Sequence, residues 1–214
     1  MTVAIRPLQV LDLFPKTVAT YEVGPAAYAE LVAEATAAEY RATAYAPGGL
    51  NDISTGRRVL DRMPLMRAEL IETLRATAEG VFMQPGRGLN ITTSWFTRTR
   101  TGGGCQRHLH SNSVLSGVVF ASGGELGGHL QFHRPESSGD GLSLGVPSEY
   151  TIRNSELYSI VPAPGLVVIF PSFLRHSVTE YRGEAPRYSL AFNSFPTRFG
   201  SGDSELEAYV NPPE

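Results

Sequence analysis

Hydrophobic and polar positions change rhythm once along this chain. Between residues 26 and 82 the apolar side chains recur at helical spacing. Beyond Leu89 they alternate, or run in short blocks cut by glycine. In the Ala- and Glu-rich stretch 26–45, Tyr28, Leu31, Val32, Ala35 and Glu39 predict a helix that Pro47-Gly48-Gly49 would end. Pro64 suits a first helical turn, and Leu65, Leu70, Ile71 and Leu74 predict a second helix over 64–82 with an apolar stripe. Leu13 to Val23 reads as an extended segment stopped by Gly24-Pro25, and 51–58 as a loop. Eight later segments are rich in β-branched and aromatic residues: LNITTSWFTRTR, SVLSGVVFA, HLQFHRP, EYTIRN, LYSIVP, LVVIF, LRHSV and RYSLAFNSF. Short strands after two helices imply a mainly β fold, an antiparallel barrel or jelly roll with the N-terminal helices packed on one face.

The last of these strands have two unlike faces. Side chains alternate along a strand. Leu174, His176 and Val178 therefore share one face of one segment. On the next, Arg187, Ser189, Ala191 and Asn193 share a face opposite to Tyr188, Leu190 and Phe192. The bulky set reads as packing and the polar set as a lining. Upstream, His108-Leu109-His110 puts two imidazoles on one side of an extended chain. Two nitrogens at i and i+2, with a third from a distant strand, are a common way to hold a first-row metal and leave positions open. His108, His110 and His176 are the candidate ligands. His129 and His133, on HLQFH, form a weaker second pair. Arg187 is the candidate carboxylate grip, because its fork binds a carboxylate bidentately and Ser189 can add a hydroxyl. Arg175 has the wrong parity for that role, and Arg182 sits in a loop. Asn112, two past His110, either bonds a metal-bound ligand or caps a turn. Trp95, Thr97, Arg98 and Arg100 lie on a strand beside the site, and parity lets only Trp95 and Thr97, or only the two arginines, face inward.

Composition narrows the setting. A chain of 214 residues, 42% hydrophobic and 18% charged, has the length and make-up of one globular domain. Its expected parts are a helical region of about 1–88, a β core of about 89–195 and a tail of about 196–214. The net charge of −3 gives no electrostatic reason to expect nucleic acid or an anionic membrane. The one cysteine, Cys105, excludes an internal disulfide and suits a reducing cytoplasm. It reads as an incidental loop residue, with a thiolate ligand as the alternative. MTVAIRPLQV lacks a signal-peptide pattern, and no apolar run has transmembrane length.

Several motifs carry a resemblance. HLHSNSVLSGVVF is similar to HxHxxS-x-x-SGVYY, FPSFLRHSV to FPSxLxHxV, and RYSLAFN to RxSxAFN; Leu13-Phe14-Pro15 also matches. These are motifs of a small bacterial and phage branch of the iron(II)- and 2-oxoglutarate-dependent oxygenases. Arg187 follows His176 by eleven positions (187 − 176), close to the family's interval between last histidine and arginine. The resemblance implies a double-stranded β-helix and Fe(II), 2-oxoglutarate and O2 as cofactors. It implies that His108, His110 and His176 hold iron, and that Arg187 and Ser189 hold the distal carboxylate. One departure stands out: His110 occupies the place of the family's acidic ligand. The implied reaction is oxidation of a C–H bond coupled to conversion of 2-oxoglutarate to succinate and CO2. A small molecule, such as an amino acid or a natural-product intermediate, is the expected substrate for a compact barrel. The competing reading is a cupin without 2-oxoglutarate, a three-histidine dioxygenase or a non-catalytic ligand-binding barrel. Gly165-x5-Pro171-x-Phe173-x2-His176 nearly matches the second cupin motif, with Phe173 where that motif has glycine. That reading explains the histidines and leaves Arg187-x-Ser189 without a role.

Overall fold

Two antiparallel sheets face each other, and a pair of helices covers the outer side of the larger one. The structure, a computed structural model, describes residues 9, 15–43, 50–82, 88–135, 146–199 and 208–209. Leu13 and Phe14 lie outside the described residues, as does the expected tail beyond 199 apart from 208–209. In chain order the elements are β1 (Ala19–Glu22), α1 (Pro25–Ala37), β2 (Tyr40–Ala42), β3 (Asn51–Ser54), α2 (Pro64–Ala76), β4 (Leu89–Thr99), β5 (Cys105–His108), β6 (Leu115–Phe120), β7 (Leu130–His133), β8 (Leu157–Ile160), β9 (Leu166–Pro171), β10 (His176–Val178) and β11 (Arg187–Pro196). A separate small pair joins β12 (Arg198–Phe199) to β13 (Ala208–Tyr209). The major sheet runs β1-β9-β6-β11-β4-β3-β2 and the minor sheet β5-β10-β7-β8. This is the expected jelly roll.

Each face of the major sheet has its own core. Phe96, Val119, Val167, Ile169, Leu190 and Phe192 point outward and pack with Ala27, Leu31 and Ala35 of α1 and Met66, Leu70 and Leu74 of α2. Phe120, Val168 and Phe170 point the other way and meet Leu130, Phe132 and Leu174 between the sheets. The helices also cap one another. Glu69 of α2 accepts the Gly24 N–H at the start of α1 at 2.8 Å, and Glu30 of α1 accepts the Met66 N–H in the first turn of α2 at 2.8 Å. Neither helix has a side-chain cap of its own at its N-cap residue. The carboxylates supply that function across the pair and oppose the positive helix ends.

Several expectations are corrected. The first helix stops at Ala37 rather than running to 45, because Tyr40–Ala42 pairs with 52–54, which had read as loop. Strand pairing here overrides helical propensity. In α2, Leu65 is exposed and Met66 takes its place in the stripe; the region to residue 81 closes as a π-helical turn, Thr77–Val81. Seven of the eight expected β segments contain strands; EYTIRN (149–154) does not. Its Asn154 side chain accepts the Thr151 N–H at 2.6 Å and donates to the Glu149 carbonyl at 2.8 Å, a local bonding pattern that competes with a ladder. The short, polar strand Cys105–His108 was not expected.

Register between β6 and β11 is held by a close fit. Gly117 pairs with Phe192, whose fully buried ring lies where a Gly117 Cβ would sit. Gly117→Ala is expected to destabilise the protein by about 1–3 kcal/mol through overpacking. Gly80→Ala, with open space around it, is expected to be neutral. Thermal unfolding of both variants checks this, and equal losses would contradict the stated fit.

Candidate metal centre and carboxylate pocket

The minor sheet brings two of the histidines together by register alone. His176 opens β10 and pairs directly with His108 at the end of β5. His110 follows on the same strand line, its N–H donating to the Ser172 carbonyl at 2.9 Å. The ring centroids of His108 and His176 lie 4.2 Å apart, and those of His110 and His176 5.0 Å. One ring nitrogen from each of His108, His110 and His176 falls within 4.8 Å of the others, the one such group of metal-binding side chains among the described residues.

Proton positions favour coordination. His108 Nδ1 donates to the Gln106 carbonyl at 2.8 Å, and His176 Nδ1 to the Leu174 carbonyl at 2.9 Å. Each bond reaches back two residues along the ring's own chain. His110 Nδ1 donates to Asn193 Oδ1, a residue of the opposite sheet. With Nδ1 protonated on all three rings, each Nε2 keeps its lone pair, and the Nε2 atoms of His108 and His110 already stand 3.4 Å apart. A second hydrogen bond that fixes the tautomer is what an imidazole ligand requires. Behind Asn193, the hydroxyls of buried Ser116 and Ser172 and half-buried Ser113 form a string, each 2.8 Å from the next, ending on the Ser194 carbonyl. Burial lowers the pKa of His110, and that of His176 falls to about 3 for the same reason, with the His108 charge adding to both.

The candidate carboxylate pocket lies on the inner face of β11. Arg187 is 2% exposed. Its Nη1 donates to the Gly128 carbonyl at 2.8 Å, and its Nε has no partner. No carboxylate pairs with it among the described residues. Aromatic rings of Phe120 and Tyr181 face its guanidinium at 5.7 and 6.0 Å. Burial lowers its pKa to about 10. A cation desolvated this far, with a donor left open, is costly unless an anion completes it. Gly128, at φ 70°, makes room: a Cβ there would come within 3.1 Å of the guanidinium carbon. Ser189 is buried two residues on, across from Thr97 of β4 and Phe120 of β6. The competing arginines are exposed, and Arg182 lies 3.4 Å from Glu180.

The remaining expected residues sort as follows. Asn112 is exposed at φ 56° in the turn after His110, and the amide bonded to His110 is that of Asn193. Asn193 shares its parity with Arg187 and Ser189, the signal that could have selected it. Trp95 and Thr97 face inward, with the Trp95 ring 5.8 Å from that of His110, while Arg98 and Arg100 pair with buried Asp52. The second histidine pair does not form: His129 Nε2 donates to the Gly124 carbonyl, and His133 Nε2 bonds Ser177. Cys105 Sγ lies 3.7 Å from His108 Nδ1, and burial raises its pKa, which opposes a thiolate.

The His176 shift has a testable sign. In the unfolded chain the ring takes a proton below about 6.5, in the folded one only near 3. Between those values the unfolded state binds more protons, so stability falls as pH falls. Metal-free protein is expected to lose up to about 1.4 kcal/mol per pH unit from this group. Urea unfolding at pH 7 and 5.5 checks it, and His176→Gln should flatten the dependence.

Comparisons with known proteins agree with this geometry. Residues 93–193 match the model of a family described as "Putative 2OG-Fe(II) oxygenase". No curated protein matches the chain. Among solved structures, HygX from Streptomyces hygroscopicus, with nickel, 2-oxoglutarate and hygromycin B bound, shares the fold at 14% identity and TM-score 0.59, over 92% of this chain and 93% of that one. The non-heme alpha ketoglutarate dependent epimerase SnoN from nogalamycin biosynthesis gives 14% and 0.62, over 92% and 82%. A Pseudomonas putida prolyl-4-hydroxylase gives 20% and 0.54, over 85% and 95%. The family match spans the β core that carries the three histidines and Arg187, and the solved structures share this jelly roll.

Proposed function

We propose that the protein is an iron(II)- and 2-oxoglutarate-dependent dioxygenase that oxidises an unactivated C–H bond of a small molecule, working as one domain in the cytoplasm. In this superfamily the bound iron, 2-oxoglutarate and O2 supply oxidative decarboxylation to succinate and CO2, coupled to oxidation of the substrate. Arg187 carries the reading: a buried guanidinium with an open donor and no carboxylate partner, on the face of β11 that ends at Asn193 beside the histidines. A cupin lacking 2-oxoglutarate would leave that cation uncompensated.

His108, His110 and His176 hold the iron through Nε2, each oriented by the acceptor on its Nδ1. Arg187 grips the distal carboxylate of 2-oxoglutarate, and Ser189 adds a hydroxyl. Phe120, Phe132 and Phe170 keep water from the space between the sheets. A neutral imidazole at position 110, in place of a carboxylate, leaves the centre one unit more positive and strengthens its attraction for an anionic cosubstrate. HygX, with hygromycin B bound, and SnoN, from nogalamycin biosynthesis, support a natural-product intermediate as substrate; the prolyl-4-hydroxylase keeps an amino-acid side chain in view. No helix of the described residues is long and apolar enough to cross a membrane.

The direct test is succinate formation from 2-oxoglutarate with iron(II) and oxygen over a panel of metabolites. Two variants divide the roles. Arg187→Leu is expected to weaken 2-oxoglutarate binding at least tenfold while iron binding persists, read from the charge-transfer absorption in an anaerobic titration; an unchanged dissociation constant would favour the cupin. His110→Ala is expected to lose iron affinity by more than the about 10- to 100-fold seen for outer partners of ligands. His110→Asp should keep some binding. Near-wild-type iron affinity in the Ala variant would remove His110 from the ligand set.

A further inference from the structure

Beside the metal centre lies a second cation that the proposed chemistry does not use. Arg57 sits in the loop after β3, and its guanidinium carbon stands 4.5 Å above the ring of Trp95. The same ring lies 5.8 Å from that of His110. Arg57 is exposed, and among the described residues no carboxylate pairs with it. Its neighbour Arg58 differs: that side chain is bound to Asp61 at 2.8 Å. The loop is held in place. The Arg57 carbonyl accepts the Ser94 N–H at 2.8 Å, Ser94 Oγ accepts the Leu60 N–H at 3.0 Å, and the Ser54 hydroxyl donates to the Gly56 carbonyl at 2.8 Å.

Geometry limits what this arginine can do. A guanidinium stacked on an indole uses its π face for the contact and leaves its N–H groups free in the plane. Those edges suit a carboxylate, which two parallel N–H bonds can hold. Stacking also removes the rotamer freedom that an exposed arginine would otherwise lose on binding.

We propose that Arg57, fixed on Trp95, binds a carboxylate of the primary substrate at the mouth of the metal centre and selects for anionic small molecules. This rests on the oxygenase reading and adds the charge of the substrate to it. The Trp95 ring links the two, 4.5 Å from the Arg57 guanidinium carbon and 5.8 Å from the His110 ring, which puts Arg57 within reach of a molecule held against the centre. Arg57 and Arg187 then divide the anions: the buried arginine takes the cosubstrate and the exposed one the substrate.

Trp95 is the chain's one tryptophan, so its fluorescence reports on this spot alone. The experiment titrates zinc(II)-loaded protein, saturated with 2-oxoglutarate and incapable of turnover, with N-acetyl amino acids and with the matching carboxamides. Acids are expected to change Trp95 emission saturably. Their carboxamides should bind about 10- to 100-fold more weakly, the span of a charge-assisted hydrogen bond. Arg57→Gln should erase the difference, Arg57→Lys should keep part of it, and added salt should reduce it. Acids and amides binding alike, no member of the series binding, or a preference that survives Arg57→Gln would each overturn the proposal. Calorimetric binding of 2-oxoglutarate to the same zinc protein is scored separately. Its absence would sink the oxygenase reading, and the acid-over-amide comparison, repeated on metal-free protein, would still decide the role of Arg57.

Discussion

Everything at the site depends on the two-residue repeat of β11 between β6 and β4. One set of its side chains, Tyr188, Leu190 and Phe192, anchors the sheet to the helices. The other set, Arg187, Ser189 and Asn193, lines the interior. A slip of one residue would exchange the two sets, burying an arginine under the helices and turning Phe192 into the pocket. The register is therefore held from both sides at once. Phe192 against Gly117 fixes it for packing, and Asn193 against His110 fixes it for chemistry.

Local backbone bonds do most of the remaining work. His108 and His176 take their orientation from carbonyls two residues earlier in the chain, and their pairing across β5 and β10 sets their separation. Only His110 relies on the opposite sheet. The site is thus assembled mostly within the minor sheet, and the major sheet contributes the Asn193 acceptor and the Arg187 pocket. That division leaves His110 as the ring whose orientation depends on how the two sheets pack.

What could be read from the sequence follows the same physics. Alternation exposed β11 because its two faces are chemically distinct, and the nearness of His108, His110 and His176 was legible because strands preserve parity. Residues 40–42 misled because their helical propensity is weak information beside the pairing with β3. EYTIRN misled because β-branched content does not reveal that Asn154 will bond its own turn. Asn112 drew attention through nearness in sequence, whereas Asn193 reaches His110 across 83 residues. Arg57 carried no signal of its own: only the packing of a loop along β4 puts it on Trp95.

The crossed carboxylates of α1 and α2 bear on how the molecule assembles. Glu69 completes the start of α1, and Glu30 completes the first turn of α2, so each helix borrows a missing partner from the other. An isolated helix of 13 residues is marginal in water. Each would fray at its N-terminus until its neighbour docked. The helical layer is therefore best viewed as one cooperative folding unit, formed in a single event together with the sheet face it covers.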